Sequence, residues 1–114
     1  MRLNRRALLA GLAAASPLRA QPAFPDRPVR LVVPYAPGGP SDILARALAA
    51  ALYESWRQPV VVENRPGAGS TIGTEVVARA APDGTTLLLA ATAHVMNPAL
   101  MPRLSYDAVR GFTP

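Results

Sequence analysis

Three apolar runs, VRLVVPY (Val29 to Tyr35), PVVVE (Pro59 to Glu63) and TTLLLAA (Thr85 to Ala91), alternate with two segments of helical period and with turns rich in proline and glycine. A run apolar at consecutive positions reads as a strand covered on both faces, and such strands belong to parallel sheets flanked by helices. Between the first two runs, Leu44, Leu48 and Leu52 recur at helical spacing with Ala47 and Ala51 beside them. This predicts a helix of about four turns, capped by Ser41, with Asp42 complementing its dipole, ending before Pro59 and burying the leucines. Thr71 to Ala81 predicts a second helix with Ile72 and Val76, and beside them Val77 and Ala80, facing inward, and APDG turns the chain back. Strand, helix, strand, helix, strand with short links is an α/β unit: a three-stranded parallel sheet between helices. No further helix–strand unit is expected after the third strand.

With 114 residues, the chain has room for one small domain, and no cysteine contributes a disulfide. The net charge of +5 suggests nucleic acid until the arginines are located. Arg2, Arg5, Arg6 and Arg19 lie in the first twenty residues, leaving eight arginines against seven acids beyond Ala20. That balance gives no field to recruit nucleic acid or an anionic membrane. The opening, MRLNRRALLAGLAAASPLRAQPA, has a basic start, an apolar run from Ala7 to Ala15 and small residues near Ala20. This is the order of a signal peptide, too short to span a bilayer, with Arg5-Arg6 fitting the twin-arginine as well as the general route. Residues 1–20 are expected to be removed near Ala20, leaving 21–114 as an exported, periplasmic protein without direct membrane insertion.

In a parallel sheet, ligands gather at the carboxyl ends of the strands. The turns there are APGGPSD, NRPGAGST and ATAHVMN. Gly38 and Gly39 place backbone N–H groups before a helix N-terminus and Ser41 adds a hydroxyl, an arrangement that accepts an anion without a cationic side chain. The plain alternative is a tight turn with a capping serine. Gly67, Gly69 and Gly73 miss the dinucleotide spacing and no lysine is available for a P-loop, so their freedom serves either a ligand or a close approach to the neighbouring turn. His94 is the sole histidine, so with no cysteine a metal site would need carboxylates alone beside it, and no nucleophile motif accompanies it. No cofactor is implied. Arg65 could meet a carboxylate ligand, pair with Glu63 or Asp83, or stand exposed, and Trp56 reads as a core or rim residue.

Three blocks, PDRPVRLVVPYAPGGPSDILARALA, QPVVVENRPGAGSTIGTEVVARAAPDGTTLLL and NPALMPRLSYDAVRGFTP, occur in an order that closely resembles the opening of the Bug-type (TctC-like) extracytoplasmic receptors. The resemblance implies a type II periplasmic-binding-protein fold, of which this chain would be the incomplete β-α-β-α-β part of the first lobe, the second lobe being absent. It implies a receptor, not an enzyme, that closes on a small carboxylated solute and delivers it to the membrane subunits of a tripartite tricarboxylate transporter. The alternative is a truncated remnant that binds nothing. By position, the resemblance assigns Pro37, Gly38, Gly39, Ser41 and Asp42 to a first ligand loop, Gly67, Ala68 and Gly69 to a second, and Thr92, His94 and Asn97 to a third. Pro40 departs from the small or polar residue usual after the glycine pair. Arg57 stands where a glycine is common.

Overall fold

The computed structural model describes residues 23–114; the leader expected over residues 1–20 lies outside them. Three strands, β1 (Val29–Val33), β2 (Val60–Asn64) and β3 (Thr86–Leu88), form one parallel sheet in the order β2-β1-β3. Helix α1 (Pro40–Trp56) follows β1 and packs on β1 and β2; helix α2 (Thr71–Ala78) follows β2 and packs on β1 and β3. The expected α/β unit is therefore present. Val32 and Val33 are both fully buried. Consecutive strand residues point to opposite faces, so β1 is covered on both sides, as its unbroken apolarity requires.

The face that α1 buries differs from the expected one. Asp42, Ala45 and Ala49 are its buried residues, while Leu44 and Leu48 are exposed and Leu52 is half-buried. Ala45 packs with Leu31 and Val33, and Val60 and Val62 close around them. A small side chain at this contact lets the helix backbone lie close to strands already filled by valine and leucine, and the leucine stripe is turned aside. On α2 likewise, Gly73 and Thr74 are the buried residues, Val76 and Val77 are half-buried, and Ile72 is exposed.

The ends of α1 also depart from expectation. Gly39, not Ser41, is the N-cap, and Pro40 occupies the first turn, where its fixed φ suits the helix and its missing N–H costs nothing. At the other end Arg57 adopts φ +56° and donates its N–H to the Tyr53 carbonyl at 2.8 Å. An arginine thus fills the left-handed position that glycine usually takes. Trp56 packs edge-to-face on Phe24, with ring centroids 6.2 Å apart.

One element was not anticipated. Thr92–Leu100 forms a third helix, α3, with Pro98 inside it, where the sequence reading placed only a turn. Because all strands are parallel, the segments that leave their carboxyl ends for α1, α2 and α3 emerge along one edge of the sheet.

Candidate functional site

The first turn is organised by Asp42. Its carboxylate accepts hydrogen bonds from the Gly38 N–H at 2.8 Å, from Arg46 Nε at 3.0 Å and from Asn64 Nδ2 at 3.1 Å. Asn64 Nδ2 also donates to the Tyr35 carbonyl at 3.2 Å. The Arg46 guanidinium, with the Gly38 and Asn64 donors, lowers the Asp42 pKa to about 2. With both oxygens engaged and its side chain buried, the Asp42 carboxylate shapes the turn from within. Gly38 has φ +84° and its own N–H is taken by Asp42. Helix geometry leaves the N–H groups of Gly39, Ser41 and Asp42 without intrahelical acceptors, and Pro40 has none. The α1 N-terminus therefore presents three backbone donors, and Ser41 lies half-buried in the first turn of the helix, one residue past Pro40. Pro37 is exposed.

The second turn carries an unusual backbone. Gly67, Ala68, Gly69 and Ser70 have φ of +122°, +46°, +64° and +76° in succession. Residues Ala68–Ser70 form a short 3-10 turn leading into α2. Thr71 Oγ1 donates to the Ala68 carbonyl at 2.8 Å and Thr74 Oγ1 to the Ser70 carbonyl at 2.9 Å. Gly73 answers the question left open for its position. A Cβ there would lie 2.6 Å from the Arg65 carbonyl oxygen and 2.9 Å from Pro34 Cα, so this glycine permits α2 to press on the neighbouring turn.

The third set of residues divides. Asn97, buried on α3, donates from Nδ2 to the Gly69 carbonyl at 2.9 Å and so joins the second turn. His94 turns elsewhere. Its Nε2 lies 3.0 Å from the Ala108 carbonyl, and its ring stacks on Tyr106 and meets Phe112 edge-on, with centroids 6.3 and 5.0 Å away. His94 thus fastens the segment after α3 to that helix, and Thr92 is exposed at the helix start. Arg65 pairs with Glu63, which also binds Arg30 at 2.6 Å, and Asp83 is taken by Arg27. Both arginines hold the Glu63 carboxyl below its usual range.

Sequence reasoning missed Asn64, Tyr106 and Phe112. Asn64 had a signal, an amide directly following the apolar run of β2 where the turns at the strands' carboxyl ends begin. A concavity of about 630 Å³ lies along β3, lined by Leu31, Leu87, Leu89, His94 and Phe112 among others. Its lining is mainly apolar, so it suits covering protein better than it suits an anion, and the donors of the first turn are not part of it.

Residues 44–114 match the model of the tripartite tricarboxylate transporter receptor family, TctC. The chain is 44% identical over 102 residues to protein BugT of Bordetella pertussis, covering 88% of this chain and 31% of that protein. It is 44% identical over 117 residues to a UPF0065 protein from the tcbD-tcbE intergenic region of Pseudomonas sp. strain P51, covering 98% of this chain and 35% of that one. Among solved structures, the periplasmic binding protein BugD superposes with a TM-score of 0.77 at 46% identity, over 80% of this chain and 30% of BugD. MatC of Rhodopseudomonas palustris with bound malate gives a TM-score of 0.75 at 44% identity, over 80% of this chain and 31% of MatC. The chain thus spans about a third of the length of the relatives it matches. It shares its fold with periplasmic binding proteins, and it belongs to the TctC (Bug) family of tripartite tricarboxylate transporter receptors.

Proposed function

We propose that this chain forms the backbone-donor wall of a site for a small carboxylated solute, within an extracytoplasmic receptor serving a tripartite tricarboxylate transporter. The carrying observation is the first turn. Asp42 takes the Gly38 N–H and fixes the turn, while the N–H groups of Gly39, Ser41 and Asp42 stand at the positive end of a 17-residue helix. A carboxylate meets hydrogen-bond donors there and a helix dipole of the right sign, with no cationic side chain needed. The second turn supplies Gly67, Ala68 and Gly69 beside it in the sheet order. Malate bound in MatC and adipate in a second R. palustris relative, 43% identical with a TM-score of 0.56, support a carboxylate as the ligand class.

In this reading residues 1–20 direct export and are cleaved near Ala20, the mature protein works in the periplasm, and the transporter's membrane subunits are its partners. Among the described residues no helix is long and apolar enough to cross a membrane. Binding does the work, with no chemical step on the solute.

Thermal unfolding of the protein with malate, adipate and their neutral diamides tests this. A ligand that binds only the folded state raises its melting temperature with concentration. The reading expects stabilisation by the dicarboxylates and none by the diamides. Equal behaviour of acids and diamides contradicts it, and cooperative unfolding with no response to any of the four favours the non-binding remnant.

A further inference from the structure

The backbone between Gly67 and Ser70 runs through four consecutive residues of positive φ, and two of them, Ala68 and Ser70, are not glycine. L-residues with a Cβ resist that conformation, so it persists only where the surroundings hold it. Within the turn, the Ser70 N–H donates to the Gly67 carbonyl at 3.0 Å. Thr71 and Thr74 act from within α2, on the carbonyls of Ala68 and Ser70. Among the described residues, the side chain that bonds the turn from another element is Asn97 of α3, whose Nδ2 reaches the Gly69 carbonyl at 2.9 Å and lies 3.5 Å from Ser70 Oγ. Asn97 and Ser70 are each only 4% exposed, so the donor side of the bond is sheltered while Gly69 itself lies at the surface. The α3 contact is close on the glycine side as well: a Cβ on Gly69 would come within 3.0 Å of Met101 Cε.

We infer that Asn97 is a positioning residue that holds the Gly67–Ser70 turn in its left-handed path, so that α3 sets the geometry of the second ligand turn. Its consequence for binding rests on the carboxylate reading above, whereas its structural content does not. Loss of the Asn97 donor releases the Gly69 carbonyl and lets Ala68 and Ser70 relax, which moves the N–H groups at the start of α2. Asn97 then needs no ligand contact of its own.

The test is amide hydrogen exchange on the full chain without ligand, for Asn97→Asp, Asn97→Ala, Ala68→Gly and the Asn97→Ala, Ala68→Gly double variant. Asn97→Asp keeps the side-chain shape and removes the donor. Exchange at the Ser70 and Thr71 amides, which donate to the Gly67 and Ala68 carbonyls, is expected to quicken roughly tenfold in both Asn97 variants, the size of one lost hydrogen bond, while Leu31 and Val32 of β1 keep their protection. Glycine at residue 68 accepts positive φ without strain, so the double variant is expected to recover part of the loss. Unchanged exchange at the turn in Asn97→Asp, or effects of the Asn97 and Ala68 changes that simply add, overturns the inference. So does a wild-type turn with no protection beyond that of an unfolded chain. Titrating the same variants with malate forms a separate arm. Failure of malate to bind at all counts against the carboxylate reading and leaves the exchange result standing.

Discussion

Asp42 and Asn64, twenty-two residues apart in sequence, are joined by a 3.1 Å hydrogen bond that ties the start of α1 to the end of β2. Through it, and through the bond from Asn64 to the Tyr35 carbonyl at 3.2 Å, the first turn is fixed to the neighbouring strand before any ligand arrives. Asp42→Ala strips Gly38 of its acceptor and leaves Asn64 with the Tyr35 carbonyl alone. The expected result is faster exchange of the Gly38 amide and a lower urea midpoint, with Asn64→Ala showing a smaller loss of the same kind.

The pH dependence follows from the same carboxylate. Asp42 has an ordinary value of 3.8 and is lowered to about 2 by Arg46, Gly38 and Asn64. A depressed carboxylate stabilises the folded state fully above its unfolded value, and that stabilisation is lost as the pH falls through 3.8 toward 2. Glu63, Asp83 and Asp107 are shifted in the same direction by their own donors. Urea midpoints should therefore drop below about pH 4, and Asp42→Asn, weaker than wild type at neutral pH, should converge on it across that window.

Two glycines beside the turns should respond differently to a methyl group. At Gly73 the added Cβ meets the Arg65 carbonyl and Pro34 at 2.6 and 2.9 Å, both on the main chain. Gly73→Ala is expected to cost about 1–3 kcal/mol, read from denaturant unfolding. At Gly39 the nearest atom is 3.6 Å away and φ is −81°, so Gly39→Ala should fold as the wild type does.

Arg57 offers a stabilising change. It occupies the left-handed C-cap of α1 at φ +56°, and its ion pair with Glu54, 3.8 Å long, is between exposed groups. Arg57→Gly should raise stability by up to about 1 kcal/mol in denaturant melts, because glycine enters this conformation without the Cβ penalty.

The strand runs, the two helices between them and the turn positions were legible because each is written as a change of hydrophobic period. The inward face of α1 was not. Leucines 44, 48 and 52 and alanines 45 and 49 repeat along the same helix, and hydrophobicity favours the larger side chains. What decided the matter was the space left above β1 and β2, already filled by Leu31, Val33, Val60 and Val62, and that space depends on residues far away in sequence. Helix α3 was hidden by Pro98, which removes one internal hydrogen bond near the end of a nine-residue helix and tolerates the rest. Asp42 was legible as a residue of the first turn, yet its direction was not, since its partner Asn64 comes from another strand. His94 drew attention as the only histidine, whereas Tyr106 and Phe112, which enclose it, carried no motif.

The central claim is that main-chain donors at the strand ends grip a carboxylate. The most direct measurement is a nitrogen-15 NMR titration of the chain with malate, beside its neutral diamide, which detects weak binding residue by residue. Saturable shifts at the amides of Gly39, Ser41 and Asp42 and of the Gly67–Ser70 turn, produced by malate and not by the diamide, are the predicted result. Shifts at neither turn, or the same shifts with the diamide, would contradict it.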